Sequence, residues 1–130
     1  LQLKDTLIIN TGFNYDTGKE YNIGEQDKYW ILVDSPDTSI KTPNTSSAIT
    51  KYNDINNFWI DPQKYSQWIS SYDTCDKGFT NDSPLKPFTF EKYFCIPEKI
   101  DSIYIELGIV ADNGANIYLD SVFIGKNSGF

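Results

Sequence analysis

The chain has 130 residues, a formal net charge of −7 and no His, Arg or Met. Without an imidazole it lacks the commonest general base, the usual nitrogen ligand for metals and every Ser-His or Cys-His nucleophile pair. Its acidic balance argues against binding to phosphate backbones, which takes clustered Lys or Arg, and against anionic membrane surfaces.

A chain of this length suits one domain, residues 1–130, with a core of its own. No apolar run approaches the roughly 18 residues of a membrane span, so no membrane insertion is expected. No signal peptide is visible, and the abrupt start at Leu1 suits a processed or trimmed secreted protein.

Taken in order, residues 6–11 (TLIINT) read as a strand rich in β-branched residues, ended by Gly12. Residues 13–26 form a polar loop punctuated by Gly18 and Gly24. Residues 29–33 (YWILV) are too short and apolar for a helix and read as a strand buried on both faces. Asp34-Ser35-Pro36-Asp37 is a turn. Residues 38–57, dense in Ser, Thr, Asn and Pro, read as a long surface loop, and such loops are often functional. Asn44-Thr45-Ser46 and Asn81-Asp82-Ser83 match the glycosylation sequon, a pattern common by chance.

Residues 58–71 (FWIDPQKYSQWISS) hold two of the three tryptophans, and residues 72–87 form a second polar loop. Residues 88–96 (FTFEKYFCI) alternate: Phe88, Phe90, Phe94 and Ile96 share one face, on which Lys92 is the lone exception. Pro97 closes that strand. Residues 103–125 then read as a β-meander. Ile103, Ile105, Leu107 and Ile109 fall on one face of its first strand. A turn follows at Asp112-Asn113-Gly114, then strands over 116–119 and 122–124 flank a two-residue turn at Asp120-Ser121. Short strands separated by turns, with no helical pattern, predict an all-β fold: an antiparallel β-sandwich or jelly roll.

The segments TLIINTG, GEQDKYWILVDSPD, SQWIS, FTFEKYFCIP and ADNGANIYLDSVFIG occur in that order. Together they resemble a galactose-binding-like jelly-roll module of secreted and surface bacterial proteins, Bacteroidota among them. The matching positions are Gly24, Asp27 and Trp30, Ser66 to Ile69, Phe88 to Pro97, Ala111 to Gly114, and Tyr118 to Ser121. Asp120-Ser121 departs from the Asn-Gly turn usual in such modules, and the chain stops at Phe130 where they continue into closing strands. The resemblance therefore implies either that the closing strands lie beyond a trimmed end or that another chain or segment covers the open position in the sheet, self-association with a neighbouring copy by strand addition being one such cover. It also implies an extracellular or cell-surface setting.

The two cysteines, Cys75 and Cys95, would as a disulfide close a loop of about 20 residues, contributing roughly 3 kcal/mol. The competing reading is two free buried thiols. Two cysteines alone make no tetrahedral zinc site. A glycan site would combine an aromatic face with planar polar groups, and Trp59 with Tyr52, Asn53, Asp54 and Asn56 is the candidate cluster. Trp30 and Trp68 read as core. Structural calcium would need six to eight oxygen ligands. The candidates are Asp34 with Asp37, Asp73 with Asp76, and Asp112 with Asn113, although turn Asp and Asn normally serve backbone geometry. Glu106 reads as an exposed strand residue, and no carboxylate pair is placed for glycoside hydrolysis.

These features lead to a non-catalytic carbohydrate-binding or adhesion module with a glycan or protein partner and no nucleic acid. One alternative is a structural subunit or spacer of a surface assembly that makes protein contacts through an open sheet edge. The other is an ancillary module of a polysaccharide-degrading enzyme.

Overall fold

A computed structural model of the chain describes residues 8–43, 47–49, 65–71, 87–111 and 114–128. The described residues contain strands and turns and no helix, and every strand pair among them is antiparallel. The protein is therefore all-β. It divides into two units, Leu1–Cys95 and Ile96–Phe130.

The first unit begins with a hairpin where the sequence suggests only a polar loop. Strand β1 (Phe13–Asn14) pairs with β2 (Lys19–Glu20), Phe13 opposite Glu20. The turn between them is built by Asn14. Its backbone carbonyl accepts from Gly18 N–H at 2.8 Å, and its side-chain Oδ1 accepts from Asp16 and Thr17 N–H at 3.0 and 3.3 Å. Gly18 supplies the positive φ of 68° that ends the turn. Polarity in residues 13–26 thus reflects side chains that fold the backbone into a turn, a hairpin signal weaker than Asn-Gly.

Strand β3 (Gln26–Asp27) pairs with β5 (Ser47–Ile49), which pairs in turn with β6 (Ile69–Ser70). Strand β5 lies inside the stretch expected to be an unbroken surface loop, where three residues between polar neighbours are too few for a visible alternation. Strand β4 (Ile31–Asp34) pairs with β7 (Thr89–Glu91): Ile31 faces Glu91 and Leu32 faces Phe90, with a bulge between Leu32 and Asp34.

The expected YWILV strand starts two residues late because the N–H groups of Tyr29 and Trp30 are already taken by the Asp27 carboxylate. Leu32 is fully buried, whereas its neighbours Ile31 and Val33 are half-buried. The FTFEKYFCI strand is likewise shorter than its pattern, and pairing ends at Glu91. Residues 8–10 are not strand, and the earlier part of the TLIINT segment lies outside the described residues.

In the second unit, β8 (Ala115–Leu119) and β9 (Val122–Asn127) form the expected hairpin. Asp120 and Ser121 both take positive φ, 46° and 67°, which is the type I′ combination whose twist matches the flanking strands. A bulge separates the Ile117–Gly125 and Tyr118–Phe123 pairs. Gly114 N–H donates to Ala111 O at 3.3 Å, closing the turn before β8. The strand expected over 103–109 is not formed, and residues 102–111 have no ladder partner. Alternation assigns faces to such a segment but does not supply the neighbour that would satisfy its N–H and C=O groups.

Candidate functional site

The best-organised cluster of polar side chains lies in the first unit, around Asp27. This residue is completely buried, as are Phe13 and Leu32. Its Oδ2 accepts from Gly12 N–H at 2.7 Å, and its Oδ1 accepts from Tyr29 and Trp30 N–H at 2.9 and 3.3 Å. A buried carboxylate is tolerable only with such donors, and charge-assisted bonds of this kind are about twice as strong as neutral ones. Asp27 thereby ties β3 to the start of β4 and to the chain at Gly12.

Gly12 must be glycine twice over. Its φ is 66°, and a Cβ built there would lie 2.3 Å from the Cβ of Gln67. That close approach is fixed by Gln67 N–H donating to Thr11 O at 2.9 Å and Thr11 Oγ1 donating to Gln67 O at 2.8 Å. Trp30 Nε1 donates to Ile9 O at 3.1 Å, so this half-buried indole anchors the same strip of chain.

Aromatic rings cover the Asp27 region. Tyr15 and Tyr29 meet edge to face with centroids 4.8 Å apart, and Phe13 contacts Tyr15 and Tyr65 in the same manner at 5.3 and 5.8 Å. The Lys92 ammonium lies over both tyrosine rings, 4.3 Å from the Tyr15 centroid and 4.4 Å from that of Tyr29. This is the lysine that broke the apolar face of the 88–96 segment. Its environment explains the exception, since a ring face attracts a cation while the aliphatic stem packs as an apolar residue would. Among the described lysines it is the one that is not exposed.

Charges in the cluster are biased by burial. Desolvation lowers the pKa of Lys92, and the Asp27 charge opposes that shift without cancelling it. Burial raises Tyr15 well above the ordinary phenol range, assisted by the negative charge of Asp27. Tyr21 is raised by burial and then by Asp27, and Tyr29 by burial and then by Asp16. At the rim, Lys28 Nζ donates to Asp16 Oδ2 at 2.6 Å, which lowers Asp16 and raises Lys28.

The residues expected from sequence to form sites fare differently. Trp59, Tyr52, Asn53, Asp54 and Asn56 lie outside the described residues, as do Asp73, Asp76, Asp112, Asn113 and Cys75. Asp34 is exposed at the end of β4. Asp37 uses its Oδ1 to accept from Ser39 N–H and Oγ at 2.8 and 2.6 Å, the turn-forming role that competes with metal ligation. Among the described residues no group of three or more His, Cys, Asp and Glu is placed to hold a metal ion. Cys95 is exposed with a free thiol, so the expected disulfide with Cys75 is not formed; Cys95 follows the end of β7 on an exposed stretch rather than lying on a paired strand. Glu106 is exposed but is not the strand residue expected, since no strand forms over 103–109 and Ile103, Ile105 and Leu107 on the other face are exposed as well.

Sequence reasoning passed over Asp27, Lys92, Tyr15 and Tyr29 as a group. Two signals pointed there: the Gly24, Asp27 and Trp30 spacing, and the single lysine on an apolar face.

A second surface belongs to the β8–β9 hairpin. Tyr118 and Phe123 stack edge to face across the strands at 5.6 Å and are 59% and 53% exposed. Leu119 and Val122 form the next pair, which the two-residue alternation puts on the opposite face, and both are exposed.

No family model, no curated protein and no solved structure matches this chain.

Proposed function

We propose that this chain is a non-catalytic adhesion module of an extracellular or cell-surface protein, one that makes protein contacts through the β8–β9 hairpin. The observation that carries this reading is the hairpin's pair of apolar faces, Tyr118 with Phe123 on one and Leu119 with Val122 on the other. A two-stranded ribbon is marginally stable alone in water, and exposed apolar pairs with open strand edges form a template for strand addition. A second copy of the chain is the partner that fits, because antiparallel addition of like edges generates a closed twofold arrangement. Lack of any imidazole, and an Asp27 carboxylate already engaged by three N–H donors, support binding rather than turnover.

The scaffold we infer is a galactose-binding-like jelly roll, supported by the five ordered segments and by the all-antiparallel pairing. An experimental structure with two facing sheets would establish it.

Sedimentation across the micromolar range tests the function. Concentration-dependent association that is abolished by Val122→Lys together with Phe123→Ser is the expected result. A chain that stays monomeric throughout, with no change in the double variant, overturns it. Specific glycan-array binding that falls with Trp59→Ala would replace it with the carbohydrate reading.

A further inference from the structure

We propose that Lys92 is a site of selective covalent modification by aldehydes, its amine being half-buried against the rings of Tyr15 and Tyr29 with no hydrogen-bond acceptor among the described residues. The inference rests on how the surroundings divide their polar groups. Asp27 is the natural counter-ion for this ammonium, yet both its oxygens are directed at backbone donors, Gly12 on one side and Tyr29 and Trp30 on the other. Lys92 is left with ring faces and a carboxylate acting only through space. Loss of hydration works against the ammonium, and a lysine in such a setting is the kind that forms Schiff bases. The tyrosine faces favour the cation, but burial outweighs the charge of Asp27 and the pKa is lowered. Lys28 provides the contrast within the same cluster, exposed and tied to Asp16 at 2.6 Å with its pKa raised.

The step is a condensation without change of oxidation state. The neutral amine's lone pair forms a C–N bond to the carbonyl carbon, and the oxygen takes up a proton to give a carbinolamine. The nitrogen gives up one proton at that stage; the hydroxyl then accepts a second proton and leaves as water while the nitrogen lone pair forms the C=N bond, and the nitrogen's last proton passes to solvent, giving the imine. The residual exposure of Lys92 gives a small aldehyde its approach.

The test uses the full chain with glycolaldehyde, trapping the imine by hydride transfer from cyanoborohydride, at mildly alkaline pH. Peptide mass spectrometry then follows each lysine over time. The expected order is Lys92 first, several-fold ahead of exposed Lys19 and Lys41, with Lys28 slowest. That order should vanish in the urea-unfolded chain, and Lys92→Arg should remove the early adduct. Lys92 reacting no faster than Lys19 in the native chain overturns the proposal, as does a Lys92 lead that persists after unfolding. Should the Arg variant fail to fold, the ranking within the native chain still decides.

Discussion

The knot around Asp27 and the β8–β9 hairpin satisfy their backbones by opposite means. In the first, one buried carboxylate collects N–H groups from Gly12, Tyr29 and Trp30, and the strands it joins are only two to four residues long. In the second, a ladder of five and six residues with one bulge does the work with no fully buried side chain, and most of its apolar residues are exposed. Local order in the first region therefore depends on a few irreplaceable atoms. In the second it depends on turn geometry and on whatever covers the faces. The two regions should respond to substitution in correspondingly different ways.

Asp27→Ala is expected to be the most damaging change. It strands the buried Gly12 N–H and the half-buried N–H groups of Tyr29 and Trp30, and losing charge-assisted bonds of this kind costs about 3–5 kcal/mol in total, allowing for their non-additivity. Urea unfolding monitored by tryptophan fluorescence measures it. A loss below about 1 kcal/mol would mean that the three donors find other acceptors, and that the knot is not organised by this carboxylate.

Gly12→Ala should come next. Positive φ costs a β-carbon about 1–2 kcal/mol, and the 2.3 Å approach to Gln67 adds overpacking of similar size. The same unfolding experiment should read about 2–4 kcal/mol.

Lys92→Met sharpens the comparison through pH. The folded pKa of Lys92 lies below its ordinary 10.5, so between those two values the unfolded chain binds more protons at this site. Stability from this group therefore rises with pH across that window. The native chain should gain on Lys92→Met as the solution is taken from neutral towards the ordinary lysine value. Tyr15 acts with the opposite sign from 10.0 upward, overlapping the top of the lysine window. Its folded pKa is raised, so the stabilisation it gives is intact below its ordinary 10.0 and is lost as pH rises beyond that. A flat difference between the native chain and Lys92→Met up to that point would contradict the burial of the ammonium.

How far the fold was legible in the sequence depended on which kind of interaction held each part. The all-β class and the β8–β9 hairpin are local: period-2 alternation and two turn residues between strands suffice to specify them. The 103–109 strand illustrates the limit, since its alternation is as clean but no partner strand stands beside it among the described residues. The Asp27 knot is non-local. Gly12 and Gln67 are brought together across a long stretch of chain, and nothing in either residue's neighbours announces the contact. Lys92 was visible as an anomaly on an apolar face, but the reason for it, two tyrosines far earlier in the chain, was not. The sugar and calcium candidates rested on composition, and most fall outside the described residues.

The smallest effect is also the one that sets the two regions most directly against each other. Gly12 and Ser121 have nearly the same φ, 66° and 67°. At Gly12 a side chain is forbidden by both backbone and neighbour. At Ser121 a non-glycine residue already occupies the left-handed region, and because the residue is exposed only the backbone cost is at stake. Ser121→Gly removes that cost, less the entropy that glycine returns to the unfolded chain, so the hairpin should gain about 0.5–1 kcal/mol. Amide exchange at Leu119 and Val122, the pair flanking the two-residue turn and so the one that exchanges both N–H···O bonds, should slow accordingly, while exchange at Tyr29 and Trp30 stays unchanged. If exchange at Leu119 and Val122 does not slow, turn geometry does not limit the hairpin. Its stability would then be set by what covers its apolar faces, and Val122→Lys should alter those same amides far more than any change within the turn.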